Sequence, residues 1–275
     1  MLITRRAAIK GVIGTTIGAA TGAAAYGTGY ERHHIGVTRA ELPVSGLSPM
    51  LDGLRIGFIT DIHHSALVPA DDVTAAVNLV NAERPDLIVL GGDYVTFGDR
   101  SFVGPVAELL KPLQADHGVF AILGNHDDDR DLPAALTRNG FAVLKDQRTR
   151  LDVRGEGLDI AGLRFWTRRP QDITRVLRKP ASETTLLLAH DPRRLREAAA
   201  LGVPAVLSGH THGGQVVVPG VGPVFKRYFP VLEGIGSEES TSIFVSRGIG
   251  TIYVPVRLNC PPEVALVTLR RKSEI

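Results

Sequence analysis

The chain has 275 residues, of which 44% are apolar and 22% charged, a globular composition with ample material for a core that excludes a disordered or fibrous protein. A single cysteine, Cys260, excludes an internal disulfide framework. The first thirty residues carry Arg5, Arg6 and Lys10 and no acid, so of the formal net charge of +2 the rest of the chain holds −1; a near-neutral body lacks the footprint of a polyanion binder, and no nucleic-acid partner is indicated.

Thr4 to Lys10 leads into an uncharged run, Gly11 to Ala25, that closes on three alanines. A basic start, a mildly apolar stretch and small residues are the parts of an export signal. The paired arginines resemble the twin-arginine type, whose export machinery moves folded proteins. Being short and rich in Gly and Ala, the run would span a bilayer only weakly. Residues 1–30 are therefore expected as an export signal or a retained membrane anchor, 31–50 as a lead-in and 51–275 as one domain. The expected location is the periplasm, the cell wall or the outer face of the inner membrane, with membrane association left open.

From Leu51 one plan recurs: a short apolar run that ends on a residue able to bind metal. Residues 55–60 end at Asp61, 87–92 at Asp93, 119–124 at Asn125 and His126, 184–189 at His190, and 205–209 at His210. Near-continuous apolar runs predict strands buried on both faces. The first three are separated by stretches of helical character, 72–84 and 101–114; in the former Val73, Ala76, Val77 and Val80 form an apolar stripe. Strand and helix in alternation predict an α/β layered fold with ligands beyond the carboxyl ends of the strands. A second series, at 143, 149–153, 158–161, 216–218, 242–245 and 263–269, is shorter or alternating and predicts antiparallel strands of a second sheet.

The candidate metal ligands are Asp61, His63, Asp93, Asn125, His190, His210 and His212. Asp61 with His63, and His210 with His212, are pairs at i and i+2, which share a side if the segment is extended. Two glycines before Asp93 would let the chain turn sharply and aim its carboxylate between two cations. Nitrogen and oxygen donors without thiolate suit Mn, Fe, Co or Zn.

In their order and spacing Asp61-x-His63, Gly92-Asp93, Gly124-Asn125-His126-Asp127, His190 and Gly209-His210-x-His212 closely resemble the motifs of the calcineurin-like metallophosphoesterase superfamily. The similarity to its bacterial YkuE-like branch extends over about residues 51–271 and includes Gly213-Gly214-Gln215, 246–251 and Pro255-Val256-Arg257. That branch often carries twin-arginine signals. The resemblance implies an α/β (α+β) four-layer αββα sandwich, two mixed β-sheets flanked by helices. It implies two divalent metal ions, one held by Asp61, His63 and His212, the other by Asn125, His190 and His210, with Asp93 bridging. It also implies that His126 protonates the leaving oxygen of a phosphate ester, or stabilises charge there. Asp127 is expected either to orient His126 or to cap the next helix.

The substrates so implied are phosphate mono- or diesters of the cell envelope or linked to lipid. The alternatives are pyrophosphate cleavage of the UDP-diacylglucosamine type and a non-catalytic metal-binding scaffold. His64 departs from the usual apolar residue and is expected at the pocket rim or in packing; His33, His34 and His117 read as surface residues. Arg168-Arg169 and Arg193-Arg194 could hold a phosphate or form a solvated face. The loop 219–239, with Phe225, Tyr228 and Phe229, could wall the pocket or pack the second sheet.

Overall fold

The structure, a computed structural model, describes residues 5–178, 184–224 and 228–272, with the side chains of all of these except 7–13. The chain opens with helix α1 (Arg5–Gly29) and strand β1 (Gly36–Val44). There follow β2 (Arg55–Ile59), α2 (Ala70–Ala82), β3 (Leu87–Leu90), α3 (Val103–Leu110), β4 (Val119–Ala121), α4 (Asp131–Arg138) and β5 (Ala142–Val143). The second half comprises β6 (Gln147–Val153), β7 (Glu156–Leu163), α5 (Pro170–Leu177), β8 (Thr184–Ala189), α6 (Leu195–Ala200) and β9 (Ala205–Ser208). It ends with β10 (Val217–Val218), β11 (Gly222–Pro223), β12 (Gly234–Glu238), β13 (Thr241–Val245) and β14 (Glu263–Arg271).

Because side chains alternate across a strand, an unbroken apolar run presents two faces that both need cover. β2 turns Ile56 and Phe58 to one side and Ile59 to the other; β3 divides Leu87 and Val89 from Ile88 and Leu90 in the same way. The strands form two six-stranded mixed sheets, ordered β1-β14-β2-β3-β4-β5 and β12-β13-β9-β8-β7-β6. Three apolar layers result. One lies between the sheets, where Phe58, Val89, Ile160, Leu186, Leu207 and Phe244 meet. Another sets α2, α3 and α4 on the outer face of the first sheet, through the buried stripe Val73, Ala76, Val77 and Val80 among others. The third sets α5 and α6 on the outer face of the second. Each fully buried side chain of this kind contributes about 1.5–3 kcal/mol, and the outcome is the expected four-layer αββα sandwich.

The partition of strands differs from the expected one. β8 and β9 belong to the second sheet, where they pair in parallel with each other and with β7 and β13. β14 and β5 belong to the first, β14 antiparallel to β2 and β5 parallel to β4. Apolar periodicity reports burial and not the sheet in which a strand is buried, so the reading grouped strands that the fold separates. Val217 and Val218 form only a small hairpin with β11. Residues 31–50, expected as a mere lead-in, supply β1, which runs parallel to β14 over nine residues and buries Leu42 and Val44 in the central layer. The consequence for function is direct: the five ligand-bearing runs divide three to two between the sheets, and their carboxyl ends meet at the seam. Among the described residues no helix is long and apolar enough to cross a membrane.

Candidate metal centre

The extended geometry expected for the two i, i+2 pairs is not what places them. Asp61, His63, Asp93, His210 and His212 all have left-handed backbone, with φ between 50° and 72°. Non-glycine residues reach this region at a cost of about 1–3 kcal/mol each and hold it only where the surroundings enforce it. Here the chain beyond β2 runs beside the chain beyond β3: Asp61 N–H donates to Gly92 O (2.9 Å) and His63 N–H to Asp93 O (3.0 Å). The intervening Ile62 is buried in the helix-side core, and the Thr211 hydroxyl donates to Leu232 O. Each kink therefore sends one side chain into the body and two to the seam. Gly92, at φ +99, makes the turn before Asp93, and a side chain there would strike Gly124 N and His190 Nδ1. Gly209 lies so close to Asp61 that a Cβ would overlap its carboxylate.

Two triads result. Asp61, His63 and His212 offer ligand atoms within 4.8 Å of one another, and so do Asp93, His190 and His210. His63 Nε2 and His212 Nε2 are 3.2 Å apart, His212 Nε2 lies 3.4 Å from Asp61 Oδ1, and His190 Nε2 lies 3.1 Å from Asp93 Oδ2. Two donors each about 2.1 Å from one ion, at angles near 90–110°, stand about 3.0–3.4 Å apart. Asp93 faces both groups. Its Oδ1 accepts from His126 N–H (2.8 Å), while Oδ2 is 3.6 Å from His63 Nε2 as well as 3.1 Å from His190 Nε2. Buried at the seam, Asn125 Oδ1 has no hydrogen-bond partner. Such an orphan is costly unless something else satisfies it. The residues present thus fit two cations.

The electrostatics agree with that fit. Burial pushes the His63 imidazole down to about 4 and that of His210, helped by nearby His190, to about 3; His212 is also held well below its ordinary range by burial. These rings are neutral and can ligate at physiological pH. Burial raises Asp61 to about 6. Burial also opposes charge on His190, but Asp93 and Asp61 outweigh it and hold that imidazole up at about 10. Without a cation, a protonated His190 balances the carboxylates. Its Nδ1–H donates to Gly91 O (2.8 Å), which fixes the ring with Nε2 towards the seam.

His126 stands at the edge of this group, its ring centroid 5.1 Å from that of His63. Its Nδ1 accepts from Phe97 N–H (3.2 Å), so the neutral ring carries its proton on Nε2. Asp127 serves neither expected partner. Its carboxylate accepts from the backbone N–H of Asp93, Tyr94 and Gly124 at 2.7–2.8 Å, tying the two ligand loops together. Asp128 is the residue that accepts from the amides at the start of α4. His64 turns away from the site, bonds Val68 O and packs on Phe102.

Arg193 is held by Asp191 and lies over the Phe229 ring, whereas Arg194 is buried against Glu197 and Thr167 O. Phe229 packs edge-on against His210, so the 219–239 loop does wall the site; Phe225 lies outside the described residues. A cleft of about 140 Å³ opens over the centre, lined by Asn125, His126, His210, His212, Phe229 and Tyr253 among others.

Arg257 is a residue whose role the sequence reading missed. Fully buried, its guanidinium donates to the carbonyls of Arg247, Gly248, Gly250 and Cys260. The strap so folded returns Ile249 N–H to Thr60 O and Gly250 N–H to Asp61 O, backing the first kink. The only sequence signal was its place in the tail that follows the last motif, since carbonyl partners leave no local mark.

Residues 54–214 match the calcineurin-like phosphoesterase family. The chain is similar to the uncharacterized metallophosphoesterase YkuE of Bacillus subtilis, with 31% identity over 98% of both chains. It is 34% identical to phosphodiesterase YaeI of Escherichia coli over 78% of this chain and 82% of that one. With an uncharacterized metallophosphoesterase of Aquifex aeolicus it shares 32% identity over 80% and 86% of the two chains.

Proposed function

The chain belongs to the calcineurin-like phosphoesterase family, and on that premise we propose that it hydrolyses phosphate mono- or diesters of the cell envelope or linked to lipid, outside the cytoplasm. It is a metal-dependent phosphoester hydrolase with a dinuclear divalent metal centre. The observation that carries the proposal is the pair of triads sharing Asp93 at the seam, with His126 beside them over one cleft. We assign Asp61, His63 and His212 to one ion, Asn125, His190 and His210 to the other, and Asp93 to both.

When bound, the ions would polarise the phosphoryl oxygens and make water a nucleophile near neutral pH. The chain's own groups orient the ester around that. Since Phe97 N–H occupies His126 Nδ1, the Nε2–H points its proton at the cleft, where it meets the leaving oxygen. Burial lowers the basicity of this half-buried ring, so a neutral donor hydrogen bond to the departing oxygen is its resting contribution. Asp127 holds Asp93 and Asn125 in register through the backbone, a positioning role. Phe229 and Tyr253 close the sides of the cleft.

Export by the twin-arginine route is supported by Arg5 and Arg6 ahead of the uncharged run. The chain should reach the periplasm or the outer face of the membrane only in cells with that machinery.

A panel of p-nitrophenyl phosphate, bis-p-nitrophenyl phosphate and a pyrophosphate ester, each with Mn, Fe, Co and Zn, tests the reading. Metal-dependent hydrolysis of a mono- or diester is expected; no hydrolysis by chain loaded with two ions would leave a scaffold instead.

A further inference from the structure

We propose that the rim of the metal cleft docks on an anionic lipid bilayer and that the phosphate ester is presented by a lipid headgroup at that surface, an inference that rests on the phosphoesterase reading above. Among the described residues beyond Tyr30, ten large apolar side chains are exposed, and seven of them stand on the loops around the cleft. Phe97 and Tyr253 form one side. Both are about two-thirds exposed, both have positive φ, and their rings lie 6.0 Å apart, with Phe97 also against His126. Val254 follows in the same loop. Opposite stand Trp166, next to the Phe165 that packs on His190 and His210, and Tyr228, next to the Phe229 that packs on His210. Val221 and Val224 project from the β10–β11 hairpin, which rests on Gly214 of the last metal motif.

Single exposed apolar residues are ordinary, but their concentration around one opening marks an interaction surface. Rings with a polar edge, such as Trp and Tyr, suit the boundary between acyl chain and water.

Two further observations choose a bilayer with negative charge. Arg168 and Arg169 are exposed beside Trp166, while Arg193 and Arg196, exposed beside Tyr228, are ion-paired with Asp191 and Glu238. Arg168 and Arg193 lie over Phe165 and Phe229. A basic fringe behind an aromatic edge is the arrangement that binds anionic lipid. The end of α1 is also fastened to the rim: Gly27 O accepts from Arg257 N–H, and a Cβ at Gly27 would touch Val256. Exposed Tyr26 and Tyr30 continue the aromatic surface there. The uncharged N-terminal segment therefore leaves the body beside Tyr253 and Val254. The cleft, at about 140 Å³, takes little beyond the phosphoryl group and its first bonds, so the body of the ester lies across the rim.

Trp166 is the only tryptophan, so its emission reports the rim and not α1. The test adds vesicles of phosphatidylglycerol, and separately of phosphatidylcholine, to the full chain. Anionic vesicles should shift Trp166 emission to the blue and brominated acyl chains should quench it. The double variant Val224→Asp, Tyr228→Asp should need about ten-fold more lipid for the same response. Trp166 emission unmoved while the chain floats with the vesicles would overturn the proposal, as would an equal response to phosphatidylcholine. Hydrolysis of soluble bis-p-nitrophenyl phosphate by the unmodified chain reports the phosphoesterase assignment separately, so either reading can fail alone.

Discussion

At the scale of the residue, side chains of similar type at the seam carry separable duties. In the proposed mechanism His126 donates to the leaving oxygen and ligates nothing, so His126→Ala should lower kcat by about 10²–10⁴ while metal content, measured by elemental analysis, stays at the wild-type level. Wild-type turnover in that variant would remove the assigned role. Asp127 acts through the backbone. Asp127→Ala leaves three amide N–H groups of the ligand loops without their acceptor, so a drop of at least about 2 kcal/mol in unfolding free energy should accompany loss of metal. Unchanged stability would show that the clamp holds nothing.

His190 carries a proton when no cation is present, held by Asp93 and Asp61. A ligand must give up its proton to bind. The sign follows: protonation belongs to the metal-free state, so Mn affinity should climb as pH rises from 6 to 8 and flatten only near the pKa of about 10. Calorimetry in two buffers of different ionisation heat should detect about one proton released per chain, and a pH-independent affinity would contradict this. The types and order of the ligands were legible in the sequence, because metal chemistry needs His, Asp and Asn whatever the backbone does. The duty of Asp127 was not, because its partners are backbone amides far along the chain.

At the scale of the element, the apolar runs identified buried strands, and the stripe Val73-Ala76-Val77-Val80 identified α2. Their assignment to sheets was not legible: Leu186–Leu188 in the second sheet reads no differently from Leu87–Leu90 in the first, since both are covered twice. The left-handed kinks at Asp61, His63, His210 and His212 were equally hidden. Such backbone is enforced by distant contacts, the first kink by the strap that Arg257 folds against Thr60 and Asp61. Replacing Arg257 by Leu removes the guanidinium donors of the Arg247, Gly250 and Cys260 carbonyls, while Gly248 O keeps the Glu263 N–H. Thermal unfolding should show a loss of at least about 3 kcal/mol, and the surviving folded protein should bind metal more weakly. If the variant unfolds outright, the milder Arg257→Lys, which keeps a charged donor for part of these carbonyls, should lower metal affinity in a chain that keeps its fold.

At the scale of the whole molecule, the sandwich exists to bring two sets of strand ends to one line. Neither sheet alone completes a triad: Asp61 and His63 come from the first and His212 follows β9 of the second, while Asp93 from the first joins His190 and His210 from the second. Metal binding therefore pins the two sheets together. Removal of metal with a chelator should lower the unfolding free energy by about 4 kcal/mol for each ion, roughly 8 kcal/mol for the pair, when the ions had been supplied at a thousand times their dissociation constants. A melting temperature indifferent to chelator would separate the metals from the fold. Anomalous diffraction from crystals of the Mn-loaded chain, at the manganese edge, tests the arrangement most directly. Two peaks about 3.5–4 Å apart are expected, one against Asp61, His63 and His212, one against Asn125, His190 and His210, with Asp93 touching both. A single peak, or peaks away from these seven side chains, would contradict it.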